Sequence, residues 1–331
     1  FLIPQTDYIN VFPIEGNTLM RFSSPTESRS IQSHFFVKTQ GQLYRSMDLA
    51  GFKYVLADAT GPTSWKFSRN YRHFVWIDSV ILIFDDVRTH EAGKLEWLLH
   101  YADSVDRDGS DLLISNGQAK AIVRPLFPEN MTVTEKKGLK DHDPDTEVTY
   151  LALSPKDPAR ETKFATAILP IPQNGRDSLP RVERLTDSEA IGVRIHENKM
   201  ITDVYLNLRA DGRRMHRNSN NVIHGWDTDA YLLAITRPAG TNQSDADTAL
   251  RYFVACGSYL RKNDKVVLDS LSKVYTVFTP GKSQMEVALQ GQPTARAALR
   301  TITEPREIQF NGKAVNAAYD KHKKTVTFRL D

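Results

Sequence analysis

The sequence contains a single cysteine, Cys256, so no disulfide can form within the chain and the redox compartment cannot be read from it. No stretch reaches the ~18 consecutive apolar residues that a transmembrane helix requires, so no membrane span is expected. Neither sign of charge dominates. The 43 Lys and Arg stand against 40 Asp and Glu, a net charge of +3. That balance argues against nucleic acid as a partner, because phosphate-binding domains concentrate Lys and Arg. Also missing are the phosphate loop G-x-x-x-x-G-K-[ST], the nucleophile elbow G-x-S-x-G, H-E-x-x-H and paired C-x-x-C. Long helical patterns are almost absent, which disfavours a parallel βαβ architecture. The chain starts Phe1-Leu-Ile-Pro4 without an initiator Met or a secretory leader, and this reads as a processed or truncated product.

What the sequence does contain is short apolar runs separated by Gly, Pro, Asn, Asp and Ser. Tyr71–Ile77 alternates, Asp78-Ser79 interrupts, and Val80–Phe84 is continuously apolar, the pattern of a hairpin whose second strand is buried on both faces. Leu95, Trp97, Leu99 and Tyr101 alternate next, with Trp97 expected in the core. Similar runs recur to Thr325–Leu330. With 331 residues, 40% of them apolar and 25% charged, the chain can bury a core without staples. The expected fold is all-β, an antiparallel sandwich of stacked sheets with little helix. It is expected to form one continuous domain over residues 1–331, with two lobes, 1–155 and 156–331, as the variant. Glu129–Glu147, Pro170–Asp187 and Asp211–Asp229 read as long loops.

Few residues stand out as chemistry. Cys256 sits in an apolar strand and reads as an inert buried thiol. His196-Glu197 lacks a second His at helical spacing, so a zinc site is not expected there. His73 and His100 lie in strands rich in aromatics. Most such histidines are core or surface residues, but a neutral imidazole on an exposed sheet face also suits sugar contact or proton transfer. The cluster Arg213-Arg214-Met215-His216-Arg217 is either a solvated loop or a contact for carboxylate or sulfate groups.

The segment from Asp58 onward resembles the β-sandwich region of heparinase II/III-like polysaccharide lyases. The resemblance rests on Asp58 and Thr60, on Arg72-His73-Phe74-Val75, and on Ile83-Phe84-Asp85-Asp86-Val87. Lys94–His100, Leu126–Asn130, Lys163–Leu169 and Thr228-Asp229-Ala230 continue it in the same order. It covers roughly residues 43–169 well and the remainder loosely. The resemblance implies an N-terminal α/α toroid, not seen in this chain, that carries most catalytic groups. It also implies cleavage of acidic polysaccharide by β-elimination. That chemistry needs a neutraliser for the uronate carboxylate, a base for the C5 proton and an acid for the leaving oxygen. Family metal positions would lie before or at the start of the chain, and Gly16-Asn17-Thr18 has Gly where the family's His-Asn-Thr triplet has His. No metal ligand and no cofactor are therefore expected within these residues.

On this reading the chain is the β-sandwich portion of a polysaccharide lyase, inactive alone, and secreted or periplasmic because its substrate is a polymer. Its partners are an acidic polysaccharide and the toroid domain of the same protein. His73 and His100 are the catalytic candidates, and Arg72, Arg213, Arg214, His216 and Arg217 the substrate contacts. The alternatives are a non-catalytic carbohydrate-binding module and a structural domain whose exposed aromatics, such as Trp65 or Tyr71, lie under a neighbour.

Overall fold

Two-residue alternation and frequent turn formers dictate sheets, and the computed structural model has 27 strands among its described residues, with a 3-10 turn at Ala246–Thr248. It describes residues 8–14, 17–23, 41–49, 51–140, 143–172, 175, 178–210, 220–241, 246–281, 283–292 and 296–329. The chain divides into two compact units. The first takes residues up to Ser46, Val55–Val75 and Ile81–Pro172; the second takes Met47–Tyr54, Trp76–Val80 and Gln173 onward. Residues 155 and 156 fall inside the first unit, and the passage to the second lies after Pro172.

At the start of the chain, β1 (Tyr8–Ile14) and β2 (Asn17–Ser23) form an antiparallel pair. An eight-stranded sheet follows, made of β3 (Gln42–Leu49), β4 (Phe52–Asp58), β5 (Phe67–Ile77), β6 (Val80–Gly93), β8 (Ser104–Asp108), β9 (Asp111–Asn116), β10 (Ala119–Phe127) and β13 (Ala159–Pro170). Its order is β3-β4-β5-β6-β13-β10-β9-β8. Asp78-Ser79 forms the turn between β5 and β6, with Asp78 at φ 49°, a left-handed conformation that Asp tolerates better than most residues. From Leu82 to Val87, β6 is buried without a break, on both faces.

A three-stranded sheet, β11-β12-β7, is built from β7 (Trp97–His100), β11 (Thr132–Lys140) and β12 (Asp143–Ser154). Phe67, Ile83, Val87, Val123 and Phe164 of the large sheet share one core with Trp97, Leu99, Leu151 and Leu153 of the small one. The first unit is thus a sandwich with alternate residues of both sheets turned inward. Trp97 is 3% exposed, a core residue, and each such large side chain contributes about 1.5–3 kcal/mol by leaving water.

The expected loop Glu129–Glu147 is largely a hairpin instead, with Thr132 opposite Ser154 and Gly138 opposite Val148. Its polarity misleads because one face of a strand can lie in water. Val133 packs inward on the core, whereas Lys137 and Glu147, farther along the same face, lie beyond that core, exposed, and pair at 2.9 Å. The other two expected loops also contain strands: β14 (Arg181–Leu185) in one, β17 (Asn221–Ile223) and β18 (Trp226–Thr228) in the other. Residues 211–219 lie outside the described residues.

The second unit continues with β15 (Ala190–Glu197), β16 (Met200–Asn207), β19 (Leu232–Pro238), β20 (Arg251–Lys262), β21 (Lys265–Thr279) and β22 (Gln284–Gln290). Then follow β23 (Arg296–Arg300), β24 (Glu307–Phe310), β25 (Lys313–Ala314), β26 (Ala318–Asp320) and β27 (Thr325–Arg329). All pairings in this 14-stranded sheet are antiparallel except β22 with β24. Stacked aromatics hold its core. The Tyr252 ring meets Trp226 edge-on at 5.9 Å and lies over Phe278 at 5.2 Å, geometries that add to simple burial. Cys256 is buried in β20.

Candidate functional site

Strand alternation decides the fate of the first candidates. Arg72 and His73 are neighbours in β5 and therefore point to opposite faces. Arg72 turns toward the sandwich core, where its Nε and Nη2 donate to Asp85 at 2.6 and 3.3 Å. The Trp97 indole N–H donates to the same carboxylate at 3.1 Å. Burial pushes the Asp85 carboxyl up, and the Arg72 guanidinium opposes that shift. Arg72 keeps 32% of its side chain exposed.

His73, on the other face, is fully buried. It sits beside Asp86, which Arg69 Nε and Lys163 Nζ both approach at 2.8 Å. Arg69 also pairs with Glu161. Lys163 stands directly opposite Asp86 across β13 and β6. Burial pushes the His73 imidazole down to about 3, Asp86 pulls it up, and Lys163 adds to the downward push. Burial likewise lowers Lys163, with Asp86 opposing. The imidazole is thus neutral at ordinary pH and out of a polymer's reach in this fold.

His100 lies in a different sheet and is exposed. Register places His100 of β7 opposite Tyr150 of β12, and Tyr150 opposite Lys136 of β11. Directly opposed residues share a face, so imidazole, phenol and ammonium form one row across the small sheet. The His100 and Tyr150 rings stack at 5.0 Å with 25° between their planes. A Cβ on Gly138 would sit 3.2 Å from the Tyr150 ring, so the missing side chain leaves the phenol its place. Lys136 Nζ reaches both oxygens of buried Glu96 at 2.9 and 2.8 Å, and Lys94 meets the same carboxylate at 3.2 Å. Two ammoniums on one carboxylate leave the end of the row with excess positive charge. Sequence reasoning finds His100 but misses Tyr150 and Lys136, since only the register assembles the row.

Arg213, Arg214, His216 and Arg217 fall outside the described residues, although the residues that flank 211–219 do not. Buried Asn221 donates to Asn207 Oδ1 and to the Glu189 carbonyl, each at 2.9 Å. Arg209 Nε donates to Glu189 at 2.7 Å. Asp187 accepts from the His224 backbone N–H at 3.3 Å, and the His224 ring lies 5.2 Å from Tyr205. Polar side chains therefore tie the two ends of the basic segment together.

Two of the sequence motifs, those at Asp58 and Asp229, act as turn clamps. Asp58 Oδ1 accepts from the Thr60 N–H at 2.9 Å, and Thr60 Oγ1 accepts from the Asn70 N–H at 3.0 Å. Asp229 accepts from the Ser258 N–H and hydroxyl, both at 2.6 Å, and from the Tyr259 N–H at 3.2 Å. Tyr71, expected among exposed aromatics, is 4% exposed, on the covered face of β5 that it shares with His73 and Val75; Trp76, on the other face, is 47% exposed. Among the described residues no three His, Cys, Asp or Glu side chains gather as metal ligands would, and no helix is long and apolar enough to cross a membrane.

No family model matches the sequence, and no curated protein matches it. Solved structures do. A heparan sulfate lyase from Pedobacter heparinus aligns over 53% of this chain and 29% of its own, at 13% identity and a TM-score of 0.39. A heparinase III aligns over 51% of this chain and 28% of its own, at 12% identity and a TM-score of 0.40. The chain thus spans less than a third of the length of the structures it matches.

Proposed function

We propose that this chain is the β-sandwich part of a protein that cleaves uronate-containing acidic polysaccharide by β-elimination, and that the polymer lies across the row His100–Tyr150–Lys136. The observation that carries this reading is the row itself, three hydrogen-bonding side chains on one open face with surplus positive charge at one end. Lys136 and Lys94 would meet the uronate carboxylate and lower its negative charge, which the loss of the C5 proton requires. His100 stands within the same row as the group able to take or hand on a proton. Tyr150 offers a ring face for a sugar and a hydroxyl for its oxygens. Arg72, Arg213, Arg214, His216 and Arg217 are the further contacts proposed for the polymer, and most catalytic groups are assigned to an N-terminal toroid domain. Such a substrate places the protein outside the cytoplasm, secreted or periplasmic.

A second reading, a carbohydrate-binding module without chemistry, is favoured by the burial of His73, which leaves His100 as the one accessible imidazole of the two candidates. One experiment separates them. Heparin, heparan sulfate, chondroitin and alginate are incubated with the chain, unsaturated uronate is followed by ultraviolet absorbance, and affinity is measured by calorimetry. The expected result is polymer binding that weakens about tenfold in Lys136→Ala or Tyr150→Ala, the loss of one charged or aromatic contact. Product that disappears in His100→Ala puts proton transfer on the row; binding without product, even with an upstream domain restored, selects the binding module. Wild-type affinity in all three row variants refutes the site. Arg214→Ala with Arg217→Ala tests the loop in the same assay, where unchanged affinity removes it.

A further inference from the structure

The second unit carries a cavity of about 480 Å³ between the segment entering β24 and the segment joining β25 to β26. Glu304, Arg306, Glu307, Asn316 and Tyr319 supply its polar lining. Its walls are fixed from behind. Val315 N–H donates to the Ile308 carbonyl at 2.9 Å, and Glu307 N–H to the Ser283 carbonyl at 3.2 Å. Thr301 ties the entering segment twice, through its N–H to the Lys324 carbonyl at 2.9 Å and its hydroxyl to the Thr303 carbonyl at 2.8 Å. Ile308 is in the core, and Val315, Ala317 and Tyr319 pack against that core. The polar ends are uncommitted by contrast. Among the described residues no hydrogen bond or ion pair engages the side chains of Glu304, Arg306, Asn316 or Tyr319, and Glu307 accepts only from Gln309, at 2.9 Å. Glu304, Arg306, Glu307 and Asn316 are exposed, so the cavity opens to solvent and a ligand can reach their polar ends. The volume lies in the range of small-molecule pockets.

We infer that this cavity binds one sugar ring that is neutral or carries an amine, held by planar polar side chains against the Tyr319 ring. The chemistry follows from the lining. Guanidinium, carboxylate and amide groups match the paired hydroxyls of a pyranose, offering side by side two donors, two acceptors, or one of each. A phenol with its ring half in the core and its hydroxyl free offers an apolar surface with a polar tip. Two carboxylates against one guanidinium leave the lining at a net charge of −1, which repels a uronate or sulfate and attracts an ammonium. The cavity therefore has the opposite charge preference to the row on the small sheet, and the inference does not depend on the polymer reading.

The test is calorimetric titration, with saturation-transfer NMR, of the full chain with methyl glucosaminide, methyl glucoside and methyl glucuronide. The expected order is amine, neutral, acid, with the amine at a Kd of about a millimolar, as befits a single small ring. The glucuronide should bind at least about tenfold more weakly than the glucosaminide, because the lining repels its carboxylate and attracts the ammonium of the other. Glu304→Gln with Glu307→Gln should erase that ratio while keeping the glucoside bound, and Tyr319→Ala should weaken all three. Glu304 and Glu307 are exposed while Tyr319 packs in part against the core, so a wild-type far-ultraviolet circular dichroism spectrum and a single cooperative melt show that each variant folds. No saturable binding, preference for the glucuronide, or wild-type binding in Tyr319→Ala each overturns the inference.

Discussion

Each unit holds a carboxylate between one guanidinium and one ammonium, at very different depths. In the first, Asp86 is bound by Arg69 and Lys163, and all three side chains are at most 6% exposed. In the second, Asp247 is bound by Arg300 at 2.7 Å and Lys265 at 2.6 Å, with Asp247 28% and Lys265 39% exposed. The same three groups do different work. The buried triad has no water to fall back on, so Asp86 and Lys163 depend on their partners within it, and Arg69 has Glu161 besides; the arrangement fixes which faces of β5, β6 and β13 meet. The half-exposed triad can exchange partners with solvent, and its contribution is correspondingly modest.

The largest effect expected from this contrast is Asp86→Ala. It strands buried Lys163 and leaves Arg69 with Glu161, and removing one partner of a buried pair typically costs about 3–5 kcal/mol. The midpoint of urea unfolding measures it. Lys163→Met added to Asp86→Leu should recover part of the loss, because one stranded cation leaves with the carboxylate. A loss under about 1 kcal/mol for Asp86→Ala would make the two triads equivalent and break the comparison.

Next in size is the histidine beside the buried triad. An unfolded chain takes a proton on His73 near pH 6.5, whereas the fold holds that imidazole down to about 3. Below pH 6.5 the unfolded state therefore binds the extra proton, and stability falls as acid is added toward pH 3. Between pH 6.5 and 5, above most carboxylate titration, the slope should approach 1.4 kcal/mol per pH unit, about 2 kcal/mol in all. Replacing His73 by Gln, which cannot titrate, should flatten that slope. His100→Ala should leave stability almost unchanged and act on polymer binding alone. A slope retained in His73→Gln would assign the proton uptake elsewhere.

These contrasts show what the sequence can carry. The hairpin around Asp78-Ser79, the doubly buried apolar run ending at Phe84 and the alternation that buries Trp97 are local patterns, and each is legible before any coordinate is known; that the buried run continues through Asp85 and Asp86 is not. The environment of His73 is not. Its partner Asp86 sits on the next strand of the hairpin, but Lys163 comes from far along the chain, and only the pairing of β6 with β13 sets Lys163 against Asp86. Two adjacent residues that look like one motif, Arg72 and His73, end on opposite faces because the strand period is two. Glu129–Glu147 misleads for another reason: its charged residues lie exposed along a hairpin that runs past the core, and composition alone does not separate a wet strand from a loop. The row His100–Tyr150–Lys136 is built from three strands, so it exists only as register.

The smallest effect belongs to Asp247, and it is the one that sharpens the comparison most. Burial pushes this carboxyl up, but hydrogen bonds from Lys265 and Arg300 outweigh it and hold the group below the usual carboxylate range. Its contribution is then complete above about pH 4, the unfolded value, and is lost as pH falls through the lower folded one. Asp247→Asn should cost about 1 kcal/mol at neutral pH and low salt, the scale of a partly exposed ion pair. Because water and ions reach the triad, about 1 M salt should remove most of that difference. The same salt should leave the cost of Asp86→Ala almost intact, since no ion enters a site where the three side chains are covered. Paired urea titrations of both variants at low and high salt read the depth of each triad directly. Equal salt sensitivity in the two would mean that burial is not what distinguishes them.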